Sequence, residues 1–107
     1  MPRASFVRAN LTDANLKGFE LRGANFQFAN LYRADLTDAK MEGANLEYAY
    51  LWRANLTDAN ATNTNLNWAQ LNLAILDGLT ITGANFSFSD LSDTVLEDTE
   101  VDPNRGK

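Results

Sequence analysis

The chain has no cysteine and no histidine among its 107 residues. The first absence excludes disulfides and thiolate metal ligands and leaves the redox compartment undetermined. The second removes the usual general base and the commonest metal ligand together. Proline occurs only twice, at Pro2 and Pro103. No apolar run approaches the roughly 18 residues that span a bilayer, and the opening MPRASFVRAN lacks the apolar centre of a secretory signal. The expectation is therefore no membrane contact and, by default, a cytoplasmic location. Basic residues are missing from one half of the chain. Residues 1–53 hold seven basic and six acidic side chains, whereas residues 54–104 hold eight acids and no base, for a net charge of −5. Without a basic face, direct nucleic-acid binding is not expected. A partner drawn by charge alone would be cationic, or would be a protein that normally holds DNA.

What is present is a repeat. Apolar centres fall every five residues from Phe6, Leu11 and Leu16 to Leu91, Leu96 and Val101, giving twenty units. Thirteen centres are Leu, three are Phe, and the others are Met41, Ala61, Ile81 and Val101. With the centre numbered i, position i−2 is alanine in fourteen of the twenty units, i−1 is often Asn, and i+1 and i+2 are mostly polar. A period of five suits neither standard element. On a helix successive centres would advance about 140° and spiral around it, and on a continuous strand they would alternate between faces. Positions i−2 and i are spaced two then three, which reads as an extended step with both side chains inward, followed by a corner.

The number of sides follows from deviations that recur at twenty. Asn25, Asn45, Asn65 and Asn85 are in register, as are Phe28, Tyr48, Trp68 and Phe88. Twenty residues per coil means four sides and about five coils. Gly18, Gly23, Gly43, Gly78 and Gly83 all occupy i+2, where a tight corner calls for a positive φ. The units GANL, RANL, RADL and LTDAN resemble those of the pentapeptide-repeat proteins, over roughly residues 4–103. That resemblance implies an all-β fold, a right-handed quadrilateral parallel β-helix, as a single domain over residues 1–107 with a polar tail at 104–107. Departures at i−2 are Phe19, Thr64, Leu79, Ser89, Thr94 and Thr99. Ala61 is a small centre that Leu79 is placed to compensate, and Phe19 is expected to plug the mouth of the first coil. The Asn column is expected to form an amide ladder between coils.

The outward positions carry the functional candidates. Side one holds the centres Phe6 to Phe86, side two Leu11 to Leu91, side three Leu16 to Leu96 and side four Leu21 to Val101. Of the eleven aromatics, seven point outward: Phe28, Tyr32, Tyr48, Tyr50, Trp52, Trp68 and Phe88. All fall along the corner between sides one and two, a seam that either stabilises the corner by stacking or serves as a contact surface for a protein partner or a second copy of the chain. Side three carries Asp35, Asp38, Asp58, Asp77, Glu97 and Asp98, opposed by Lys17. This acidic face reads as a solvated surface, or as mimicry of a DNA phosphate rail. The family resemblance implies the latter as a route to modulating DNA gyrase, a type II topoisomerase. Asp38 and Asp58 have the ligand chemistry of a divalent-cation site but no local loop, so no metal and no cofactor are expected. No phosphate loop, dinucleotide fingerprint or nucleophile elbow occurs, and catalysis is not expected. The function expected is that of a non-catalytic interaction or structural module.

Overall fold

The computed structural model describes residues 3–94. Each five-residue unit makes one turn and one parallel bridge. The turn is closed by the i−2 amide, which donates to the carbonyl of the preceding centre, as in Ala9 N to Phe6 O at 3.0 Å and Ala29 N to Phe26 O at 2.9 Å. Its third residue, at i+2, has a positive φ at every fifth position from Arg3 at 62° to Asp93 at 61°. A positive φ there, with an i to i+3 hydrogen bond, is the signature of a type II turn. Between turns, only the i−1 residue pairs with its neighbours, each to the residue twenty positions on, from Ser5 with Asn25 to Gln70 with Asp90. A side is thus one bridge long, because corners arrive every five residues.

Backbone hydrogen bonds consequently run along the axis from coil to coil. Leu11 N donates to Asn30 O at 2.7 Å, Asn30 N to Ala9 O at 2.9 Å, and Asp13 N to Tyr32 O at 2.8 Å. The same three bonds recur around the coil, so most backbone polar groups are satisfied without a helix or a long strand. The two shorter extents of the molecule, 22 and 21 Å, fit a square cross-section.

The interior is filled by positions i−2 and i, as the spacing requires. Centres from Leu16 to Ile81 and alanines from Ala24 to Ala74 are buried. Phe6, Leu11, Ala84, Phe86 and Leu91, in the outer coils, are partly buried and pack against this core. Inside it, Phe6 stacks on Phe26 with centroids 4.8 Å apart. Ala61 and Leu79 are both buried. Thr64 is also buried, and its hydroxyl donates to Met41 O at 2.8 Å. Farther along, Ser89 Oγ donates to Phe86 O at 2.6 Å and Thr94 Oγ1 to Leu91 O at 3.0 Å. Hydroxyls at i−2 therefore find the carbonyl of a centre, three residues back for Ser89 and Thr94 and one coil earlier for Thr64, so Ser and Thr can replace alanine there. Thr99 lies outside the described residues.

Two expectations need correction. Phe19 does not bury itself in the mouth of the first coil but stands 43% exposed, whereas Leu79, three coils on in the same column, is buried in the coil after the small centre Ala61. The Asn column acts locally, not as a ladder. The Oδ1 atoms of Asn25, Asn45, Asn65 and Asn85 each accept from the backbone N–H two residues on, at 2.9–3.0 Å. That Asx turn mimics a backbone turn and satisfies an amide leading into the corner.

Candidate interaction surface

The four aromatics on side one sit on the corner itself, and the backbone beneath them is in the left-handed region. Phe28, Tyr48, Trp68 and Phe88 have φ of 60°, 61°, 62° and 61°. For a bulky residue this is an outlier, at roughly 1–2 kcal/mol each relative to a right-handed conformation. Glycine, which occupies the equivalent corner in five other units, would avoid that cost. The rings form a near-parallel column: Phe28 to Tyr48 at 4.9 Å, Tyr48 to Trp68 at 6.0 Å and Trp68 to Phe88 at 4.6 Å between centroids. Arg8, one coil earlier in the same column, places its guanidinium 4.5 Å from the Phe28 ring centroid. The four rings remain 44%, 45%, 47% and 75% exposed in chain order.

The side-two aromatics form a separate group. Tyr50 stacks on Tyr32 at 6.3 Å and on Trp52 at 6.0 Å, and all three are half-buried. Trp52 Nε1 donates to Gln70 Oε1 at 3.1 Å, fixing the indole. Tyr50 occupies i−1, the position where Asn30 and Asn10, one and two coils back, supply the turn-closing oxygen. An aromatic there gives up that hydrogen bond. Together with Thr12, Asn30 and Arg53, the trio lines a shallow depression. The seam expected as one surface is thus two stacks meeting at one corner.

Two arginines flank the trio in successive coils. Arg33 Nε lies 3.2 Å from Asp13 Oδ1, both exposed. Arg53 has no ion-pair partner among the described residues. What sequence reading missed here is the left-handed backbone under the column and the Arg8 cap. The signal was available, because Arg8 and all the corner glycines share position i+2.

The acidic face is less uniform than its sequence suggests. Asp35 occupies i−1 and accepts from Thr37 N at 3.0 Å, the same turn-closing task that Asn55 performs one coil later. Bonds from the Thr37 hydroxyl and amide hold the Asp35 carboxyl below the usual range, with Lys17 adding a smaller pull. Asp38 and Asp58 stand exposed on the corner with φ of 59° and 58°. Asp77 turns Oδ1 into a buried position without a hydrogen-bond partner. Glu97 and Asp98 lie outside the described residues. Among the described residues, no group of three acidic side chains is placed to hold a metal ion, and no helix is long and apolar enough to cross a membrane.

Comparison with known proteins agrees with this geometry. Residues 4–43 and 39–78 each match the family model described as pentapeptide repeats (8 copies). The chain belongs to the pentapeptide repeat family. Like other pentapeptide repeat proteins, it is a right-handed quadrilateral β-helix. A pentapeptide repeat protein from the Arabidopsis thaliana thylakoid lumen is 29% identical, with a TM-score of 0.70 over 97% of this chain and 69% of that one. HetL from Nostoc sp. strain PCC 7120, involved in the regulation of heterocyst differentiation, is 27% identical with a TM-score of 0.55. That match covers 94% of this chain but 52% of HetL, so the chain spans about half the length of that protein. A second Nostoc pentapeptide repeat protein is 32% identical, with a TM-score of 0.53 over 87% of this chain and 84% of its own. No curated protein matches the chain.

Proposed function

We propose that this pentapeptide repeat domain is a non-catalytic interaction module and that its contact surface is the aromatic corner. The observation that carries the reading is the column Phe28, Tyr48, Trp68 and Phe88, held exposed on left-handed backbone. Each ring contact contributes about 0.5–1.5 kcal/mol, no more than the roughly 1–2 kcal/mol of backbone cost beneath each ring. Stacking alone is therefore a weak reason to place four large aromatics where glycine fits. Exposed Trp and Tyr next to an arginine match the composition of binding hot spots. The chemistry argues against catalysis: with no His or Cys, acid–base work would fall to carboxylates. Asp35 and Asp90 are both shifted downward by hydrogen bonds, away from neutrality.

The test compares the native chain with Trp68→Lys and Trp52→Lys variants of native circular dichroism, each immobilised and probed for bound proteins, copies of itself included. Loss of association in the variants supports the reading, and an unchanged set of bound proteins refutes it.

A second reading, a short DNA mimic acting on a type II topoisomerase, draws support from Asp38 and Asp58, exposed one coil apart on side three. The turn-closing role of Asp35 and the buried Asp77 oxygen weaken it, since neither carboxylate is freely presented as a phosphate would be. Unchanged gyrase supercoiling at micromolar protein would count against it.

A further inference from the structure

We infer that the aromatic corner is a self-association surface, joining two copies of the chain side by side and antiparallel. The inference rests on the reading of that corner as a contact surface and names its occupant. Three observations converge on a second copy.

The first is the order of the column. Read in either direction it is phenylalanine, two larger aromatics, phenylalanine. A two-fold axis passing between the coils of Tyr48 and Trp68 sets Tyr48 beside Trp68 of the second copy and Phe28 beside its Phe88. An isologous contact requires such self-complementarity.

The second is charge. Along side one, from Ser5 to Phe88, the outward positions carry only Arg8 and Glu47 as charges, and Glu47 is already bonded to Gln27 Nε2 at 2.9 Å. A desolvated contact centre favours such a face, because charged groups are depleted where an interface is fully buried. The two halves of the described coils also differ in sign: after Arg53 they carry Asp58, Asp77, Asp90 and Asp93 and no base, while all the described basic residues lie at or before Arg53. An antiparallel pair sets the acidic half against the mixed half. A parallel pair would set the acidic coils level with each other, with like charges repelling on the flanks of the contact.

The third is register on the flank. Arg33 and Asp93 occupy the same side-two corner column, three coils apart, as Phe28 and Phe88 do on side one. The two-fold that pairs the phenylalanines therefore brings Arg33 level with Asp93 of the second copy. Asp93 has no ion-pair partner among the described residues, and Arg33 engages Asp13 through Nε alone, leaving its terminal nitrogens to a second carboxylate.

The test is molar mass by light scattering and sedimentation, for the native chain and for Arg33→Asp, Asp93→Arg and the double swap. The swap is neutral for the backbone: Asp13, Asp38 and Asp58 already occupy such corners at φ of 58–60°, and Arg8 and Arg53 at 60° and 58°. The expected result is a species of twice the 11.8 kDa chain mass. Either single reversal should weaken it about tenfold or more, with the double swap restoring it. Because the chain is free of cysteine, Gln27→Cys and Ser87→Cys give an independent readout. Mixed together, the two variants should form a disulfide-linked heterodimer. A native monomer overturns the inference but not the contact-surface reading, which the immobilised Trp68→Lys comparison decides separately. A dimer broken by Trp68→Lys but not rescued by the double swap overturns the antiparallel arrangement. A dimer indifferent to Trp68→Lys and to both reversals overturns the inference together with the role of the corner.

Discussion

At position 68 the usual ranking of alanine and glycine should invert. Trp68 has a φ of 62°, stacks on Tyr48 and Phe88, and is 47% exposed. Trp68→Ala and Trp68→Gly both delete the two ring contacts, a loss of about 1–3 kcal/mol at 0.5–1.5 kcal/mol per contact. They differ in the corner. Alanine keeps the left-handed cost of roughly 1–2 kcal/mol, whereas glycine sheds it, giving back about 0.5–1 kcal/mol through its freer unfolded chain. The net expectation is a glycine variant more stable than the alanine variant by about 1 kcal/mol, or about 4–8 °C in Tm for a domain of this size. Ala69→Gly supplies the control. Ala69, next along the chain, is buried and is not among the positive-φ residues, so glycine there should destabilise in the ordinary way. Urea and thermal melts followed by circular dichroism would measure all three. A Trp68→Gly variant no more stable than Trp68→Ala would refute the strained-corner argument and, with it, the strongest reason to see the column as more than a structural stack.

Further outcomes follow from the same geometry. Gly43 and Gly78 share a φ of 70°, but a Cβ at Gly78 would meet the Asp58 carboxylate while one at Gly43 meets nothing within 4 Å. Gly43→Ala should cost about 1–2 kcal/mol and Gly78→Ala measurably more, with the excess disappearing in an Asp58→Ala background. Thr64→Val removes the hydroxyl that donates to Met41 O. Ala44 N still donates to that carbonyl, so the loss in urea melts should stay near one hydrogen bond, about 0.5–1.5 kcal/mol. The Asp35 carboxyl is held below the ordinary aspartate range by its bonds from Thr37. It therefore contributes stability in full above the unfolded pKa, and that contribution fades as pH falls through the folded one. Asp35→Asn keeps an Oδ1 for the Thr37 amide but does not titrate, so its stability should fall less steeply than the native chain's as pH drops below about 4.

The fold was almost wholly legible because its determinants are periodic. Five-residue spacing excluded helix and strand, recurrence at twenty set the number of sides, and the glycines marked the corners. The misreadings came where a position departs from the repeat. Phe19 was assigned inward by its place in the frame, but in the first coil its ring stays 43% exposed, while Leu79 in the same column is buried deeper in the stack. The Asn column looked like an amide ladder because its members are stacked, yet the nearest unsatisfied donor is the amide two residues on in the same chain. The aromatic corner was legible as a location. Its division into two stacks was not, because ring contacts depend on side-chain directions that sequence spacing does not fix. Nor did spacing show that Asp35 is turned into a structural acceptor, which removes it from the acidic face as a free charge.

The frame also says where function can be written on such a chain. Positions i−2 and i fill the interior, and i−1 is mostly committed to closing the turn through its side-chain oxygen. Only i+1 and i+2 are free in most units, and residues that act together there are twenty apart in sequence and about 4.8 Å apart in space. A binding surface is therefore a set of columns, not a loop, and its members are scattered along the sequence. Phe28, Tyr48, Trp68 and Phe88 form such a set, and so do Arg33, Arg53 and Asp93. Tyr50 is the exception that sharpens the argument. It takes an i−1 position from the turn-closing oxygen and spends it on the Tyr32–Trp52 stack. Aromatics thus take the corner position i+2 four times on side one and the i−1 position once on side two, and these positions meet at one corner. Left-handed non-glycine corners occur on all four sides, but the large outward aromatics gather at one corner; a purely structural solenoid has no reason to gather them there, and a contact surface does.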